Sequence, residues 1–208
     1  PSGAVRSVAE EVKENVSPSS IIISTAKGLE KDTLMRMSEV LSEVLGRLER
    51  IVVLSGPSFA VEVIKELPTA VTLASPVPRL SSLAANLYHY KYFRAYASTD
   101  IVGVELGGVL KNVIALAAGM IDGAGMGANA RAALLTRALI EIRRIVMAMG
   151  GRSSTVSGLS GLGDLLLTAT GDLSRNRQVG LMLGKGQKLS DIMKEMKKQD
   201  RRASMNQE

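Results

Sequence analysis

The chain has 208 residues, of which 46% are apolar and 22% charged, enough to bury a core as one large domain or two small ones and unlike a disordered or fibrous chain. Its net charge of +6 includes Lys194, Lys197, Lys198, Arg201 and Arg202 near the end. With no zinc-finger spacing and no base-stacking aromatic strand, a small anionic substrate accounts for basic character better than nucleic acid does. There is no Cys, so disulfide frameworks and thiolate metal sites are excluded, and a reducing, cytoplasmic setting is expected.

In chain order, Val5 to Val16 is a mixed amphipathic helix candidate, and Ile21, Ile22 and Ile23 form the first β-branched run. Leu34, Met37, Val40, Leu41, Val44, Leu45 and Leu48 recur at spacings of three and four, so the spacing predicts a helix with one buried face, capped by Asp32 or Thr33. Ile51 to Leu54, Thr69 to Ala74 and, more weakly, Arg94 to Ala97 supply further strands. This alternation predicts a partial Rossmann-like parallel sheet over residues 1–100.

After Asp100 the pattern becomes all-α. Val102 to Ala118 is apolar nearly all round and is expected to be a central helix, broken over Gly119 to Gly127. Glu105 and Lys111 interrupt the run, which argues against a bilayer span. A second helix is expected from Ala130 to Met149, then a glycine-rich segment from Gly158 to Thr170. A third, capped by Ser174, should run from Arg175 to Leu183 and stop at Gly184. The chain therefore divides into an α/β part (1–100), a helical part (101–196) and a charged tail (197–208) expected to be frayed, with a cleft between the first two.

The single His, at position 89, precludes a histidine triad and is most simply a partly buried helical residue. Lys111 is more informative, because an ammonium midway through so apolar a helix is costly. It is either a lysine brought towards neutrality to act as a general base, or one whose stem crosses the core to water. Asp164, among glycines, is either a helix cap or a catalytic carboxylate. Ser174, Arg175 and Asn176 bring donors to a helix start, where they would bind a phosphate-sized anion or simply cap the helix. Lys27 and the loop Gly56-Pro57-Ser58-Phe59-Ala60 each follow a predicted strand, where open α/β sheets bind ligands, although each could be an ordinary turn.

Taken in order, Lys-Gly-Leu-Glu at 27–30, Ser-Gly-Pro-Ser-Phe-Ala at 55–60, Val-Glu-Leu-Gly-Gly-Val-Leu-Lys-Asn-Val at 104–113, Gly-Leu-Ser-Gly-Leu-Gly-Asp-Leu at 158–165 and Ser-Arg-Asn-Arg at 174–177 closely resemble the NAD(P)-dependent glycerol-3-phosphate dehydrogenases of bacterial type. Asp122 to Asn129 and Leu135 to Arg137 also resemble the family's pattern, in loop and helix packing. The resemblance implies hydride transfer between C2 of glycerol 3-phosphate and NAD or NADP, supplying glycerol 3-phosphate for phospholipid synthesis. It implies Lys111 as proton acceptor, Lys27 as a cation at the substrate and cofactor, and Asp164 as the group that orients the substrate hydroxyl or Lys111. Ser174, Arg175 and Asn176 would hold the phosphate, with Arg175 also reaching the cofactor. Gly56 and Ser58 would approach the substrate and Ala60 the nicotinamide. With part of the family's fold absent, exposed sheet edge and helix faces predict a homo-oligomer; the sequence itself gives no sign of membrane insertion, a nucleic-acid partner or a metal.

The family opens with a strand, a glycine-rich turn and a helix that hold the cofactor pyrophosphate, and none of these precedes Pro1. With residues 197–208 reading as an unrelated charged tail, the resemblance implies a chain truncated at its N-terminus and at its C-terminus. Such a chain would lack the first mononucleotide-binding half. It would bind phosphate and, alone, could be inactive, a phosphate-binding or oligomerisation fragment.

Overall fold

In the computed structural model, which describes residues 1–46 and 48–205, four strands form one sheet in the order β1 (Ile22–Ser24), β2 (Ile51–Ser55), β3 (Thr69–Ala74), β4 (Phe93–Ser98). All four expected strands are present, but the sheet is mixed rather than parallel. β1 runs parallel to β2 and β3 to β4, whereas β2 and β3 are antiparallel, with Val53 opposite Ala74 and Ser55 opposite Thr72. The connections explain this. Between β1 and β2 lies α2 (Met37–Leu45) and between β3 and β4 lies α4 (Pro78–Tyr88), each long enough to cross the sheet. The link from β2 to β3 holds only the five-residue α3 (Ala60–Ile64). It closes at Glu66, which takes a left-handed φ of 59° as the chain turns back.

β2 is buried along its whole length because both sheet faces are covered. On one face Ile51 and Val53 pack with Leu41, Val44 and Leu45 of α2, Ala9 of α1 (Val5–Val12) and Ile101 and Val104. On the other, Val52, Val71 and Leu73 meet Leu80, Ala84 and Ala85 of α4. α2 begins at Met37 rather than near Asp32 or Thr33. Arg36 occupies its N-cap, and its backbone N–H donates to the Glu39 carboxylate at 2.8 Å, which fixes the first turn. Leu34 and Leu48 fall outside the helix and are 67% and 42% exposed, so they are not part of its buried face.

The second half is all-α, as expected. α5 (Ile101–Gly123) is followed by α6 (Gly127–Ala148), α7 (Ser153–Val156), a single π-helical turn (Leu159–Gly163), α8 (Asp164–Thr170), α9 (Arg175–Gly184) and α10 (Leu189–Met205). Asp100 caps α5 by accepting from Gly103 N at 2.9 Å, and also accepts from Arg152 N and the Thr155 hydroxyl at 2.8 and 2.6 Å, tying α5 to α7. The first turn of α5 lies in the sheet core. Further along, Leu106 packs with Ile142, Val146, Val156 and Leu165 in the helical core. By length and composition alone α5 could cross a bilayer, contrary to the sequence reading, but much of it is buried against the other elements.

The expected break at Gly119 does not occur. α5 runs through Gly119 to Gly123 because these glycines face α9 and admit its backbone. A methyl group at Gly119 would lie 2.1 Å from the Arg177 carbonyl oxygen, and one at Gly180 of α9 would lie 2.0 Å from that of Leu116. Gly184 ends α9 as expected, with Gly186 taking the left-handed φ of 82°. The stretch expected to fray from residue 197 continues as α10 to Met205, and residues 206–208 of that tail lie outside the described residues. His89 is exposed at the end of α4, not partly buried, and its Nε2 accepts from Arg94 at 2.9 Å.

Candidate active site

The loop after β1, the loop after β2, the middle of α5 and the start of α8 meet at one buried carboxylate. Asp164 is 1% exposed and receives two ammonium groups. Lys27 donates to Oδ2 at 2.6 Å, and Lys111 donates to Oδ1 in a short hydrogen bond. Lys111 is also held by the Thr168 hydroxyl at 2.8 Å, and Lys27 by the Gly56 carbonyl at 3.2 Å. Lys111 therefore does not snorkel to water, and Asp164 does not cap α8; Gly163 occupies the cap position.

Two cations on one anion leave an excess positive charge in a poorly solvated place. Burial, followed by the charge of Lys27, pulls the Lys111 pKa down to about 8, with Asp164 opposing both. The lysine is thus poised to gain or lose a proton near neutral pH, in a setting where Asp164 and Thr168 fix its direction.

The loop carrying Lys27 is clasped from the N-terminal segment. Arg6 of α1 donates to both Glu30 oxygens at 2.7 and 2.9 Å, which holds the Glu30 carboxyl down at about 2. Gly28 packs so closely on Ser2 that a methyl group there would fall 2.3 Å from its hydroxyl. Gly56, with φ of 147°, lies against Val71 and Ala70 of β3, and its carbonyl collects both Lys27 and the Ser58 hydroxyl, the latter at 3.2 Å. Gly56 and Ser58 thus border the lysine pair, while Ala60 opens α3 beyond it.

The start of α9 approaches from the other side. Gly180 packs on Leu116 and Gly184 on Met120, so α5 and α9 run parallel in fixed register. Carried one turn back, that register brings the start of α9 alongside the turn of α5 that follows Lys111. Ser174 caps α9 by accepting from Arg177 N at 3.3 Å, Asn176 is half-buried and Arg175 is exposed. Arg177 anchors the helix through Asp122 at 2.8 Å, and Asp122 also binds Arg131 at 2.7 Å. The dipole of a ten-residue helix therefore makes the start of α9 electropositive.

Sequence reasoning passed over Thr168. It had a signal, since Thr168 follows Asp164 by one helical turn. Among the described residues no group of three or more His, Asp or Glu side chains is placed to hold a metal.

Comparison with known proteins identifies the family. Residues 1–81 match the family model for the N-terminus, and residues 100–203 the model for the C-terminus, of NAD-dependent glycerol-3-phosphate dehydrogenase. The second match extends into the stretch set apart above as a charged tail. The glycerol-3-phosphate dehydrogenase (NAD(P)+) of Syntrophotalea carbinolica is 56% identical over 95% of this chain and 60% of its own length. That of Geobacter metallireducens is 50% identical over 95% and 59%. Among solved structures, the glycerol-3-phosphate dehydrogenase of Coxiella burnetii superposes with a TM-score of 0.88 at 42% identity, covering 94% of this chain and 60% of that one. The enzyme of Saccharomyces cerevisiae gives 0.82 at 28% identity, covering 92% and 57%. The chain spans about three fifths of the length of the relatives it matches.

Proposed function

The chain belongs to the NAD-dependent glycerol-3-phosphate dehydrogenase family, and from that membership we propose that it carries the substrate-binding and proton-transferring part of an enzyme interconverting sn-glycerol 3-phosphate and dihydroxyacetone phosphate. The observation that carries this reading is the pair Lys27 and Lys111 on the buried carboxylate of Asp164.

In the oxidative direction, neutral Lys111 accepts the proton of the C2 hydroxyl. Asp164 and Thr168 hold its amine in line and stabilise the ammonium that forms. Lys27, held on the same carboxylate, favours the negative charge that develops on that oxygen. The start of α9, with Ser174, Arg175 and Asn176, takes the phosphate and so fixes which carbon faces Lys111. In reduction Lys111 returns the proton.

Two amines, a carboxylate and a hydroxyl can move protons and hold charge, but none accepts the electron pair that leaves C2. The donor set therefore fits a bound hydride acceptor. NAD or NADP supplies that chemistry when bound, and Lys27, Ala60 and Arg175 are the residues of this chain that would contact it. Gly56 and Ser58 border the substrate. We place the chain in the cytoplasm, as a self-associating protein outside the membrane that supplies glycerol 3-phosphate for phospholipid synthesis.

The test is absorbance at 340 nm with NADH or NADPH and dihydroxyacetone phosphate, comparing the chain with Lys111→Ala. Loss of a proton-transfer group should lower turnover roughly 10²–10⁴-fold. Equal turnover in both would overturn the assignment of Lys111. No turnover in either, with dihydroxyacetone phosphate still bound in calorimetry, would favour a non-catalytic phosphate-binding or oligomerisation module. Light scattering across a concentration series tests self-association, and a constant monomer would refute it.

A further inference from the structure

Lys111 has two neighbours that must arrive from distant parts of the chain, and both come in over glycines one turn earlier on α5. Gly107 faces the π-helical turn that leads into Asp164. A methyl group there would lie 2.5 Å from the Ser160 carbonyl oxygen and 3.3 Å from the Gly161 Cα, so backbone rests directly on backbone. The turn itself is closed from behind, since Gly161 packs on Val156 with no room for a side chain. Gly108 faces the other way, towards the end of β2. A methyl group there would lie 2.8 Å from the Ser55 hydroxyl and 3.6 Å from both Cγ and Cδ of Lys27. The Lys27 stem therefore runs across α5 over Gly108 to reach the carboxylate. The Ser55 hydroxyl beneath it is buried and has no hydrogen-bond partner. The site is thus filled to contact on both sides of the glycine pair.

We propose that Gly107 and Gly108 are positioning residues for Lys111: Gly107 sets the turn that presents Asp164, and Gly108 leaves the passage through which Lys27 reaches that same carboxylate. Neither touches the reacting atoms. Each acts through a different charged neighbour, and the two neighbours act on Lys111 in opposite senses. Asp164 favours its protonated form and Lys27 disfavours it. General loosening of the core would move both variants the same way. Separate positioning roles move them apart.

The inference rests on the reading of the lysine pair as the reactive centre, but its test does not require turnover. Competitive acetylation of the full chain with acetic anhydride, followed by mass spectrometry at a series of pH values, gives the titration of Lys111 in the folded protein. Gly107→Ala should shift its midpoint downward from the wild-type position, in the same direction as Asp164→Asn should. Gly108→Val, which extends into the Lys27 stem, should shift it upward, in the same direction as Lys27→Met should. Gly151→Ala, which would press on Val146 and on Gly103 in the first turn of α5, away from Lys111 and α9, is the control for packing damage and should leave the midpoint in place. In an Asp164→Asn background, Gly107→Ala should add nothing. Trimming Lys27 to Ala should restore part of the melting temperature that Gly108→Val loses. Shifts of the same sign in the two glycine variants, an equal shift in Gly151→Ala, or failure of Gly107→Ala to fold would each overturn the proposal. Loss of turnover in Lys111→Ala with no movement of these midpoints would uphold the function while rejecting the glycine roles.

Discussion

Replacing Asp164 by Asn leaves two ammonium groups facing each other where the carboxylate, 1% exposed, had joined them. Removing one partner of a buried ion pair typically destabilises by roughly 3–5 kcal/mol, and here one residue serves two cations. The effect should depend on pH with a definite sign. The Lys111 pKa is about 8 in the folded wild type against 10.5 as reference, so the unfolded chain holds more protons between those values and stability rises with pH across that window. Without Asp164 the folded pKa falls further and the window opens at lower pH. At pH 7 the variant should therefore lose roughly 3–5 kcal/mol. At pH 9.5, with Lys111 neutral in both proteins, the deficit should shrink to roughly 2 kcal/mol, that of one lost charge-assisted bond. Urea unfolding at the two pH values, with matched m-values, measures this. A deficit below about 1 kcal/mol at pH 7, the range of an exposed ion pair, would refute the reasoning. So would a deficit that does not change with pH.

Gly180→Ala should drive a methyl group onto the Leu116 carbonyl, 2.0 Å away, and unseat α9. Overpacking of this kind costs roughly 1–3 kcal/mol or more, a fall of about 5–10 °C in melting temperature, and inorganic phosphate binding should weaken with it. An unchanged melting temperature would show that the two helices part easily. Glu30 is held at about 2 by Arg6, so its contribution to stability is present above its reference value of 4.5 and is lost as pH falls towards 2. Thermal melts from pH 5 to pH 2 should show the wild type losing its advantage over Glu30→Gln across that interval, and a constant difference would count against the clasp.

The α/β part, the all-α part and the candidate residues of the site could be read from the sequence because each breaks a local pattern. A lysine in the most apolar helix and an acid among glycines are visible one segment at a time. What escaped depends on pairs of distant segments. The β2–β3 reversal is decided by a linker helix too short to cross the sheet, which the composition of the strands does not report. Gly119 read as a helix breaker because its use, contact with the α9 backbone, lies some sixty residues further along the chain. Thr168 was missed for a different reason. Threonine in a helix is ordinary, and its hydroxyl gains meaning only once Lys111 is known to end beside it.

The apolar character of α5 has a consequence for the making of the protein. A chain leaving the ribosome exposes all 23 residues of α5 before α6, α8 and α9, the segments that will enclose them, have emerged. Until Gly184 is free of the exit tunnel, this stretch is a greasy rod with Asp122 near its end and, within it, one glutamate and one lysine, whose partners Arg36 and Asp164 lie on opposite sides of it in synthesis order. Glu105 can be neutralised at once by a residue already made, whereas Lys111 must wait for one that is not. Synthesis rate and chaperone capture over that interval should therefore govern how much nascent chain reaches the folded state.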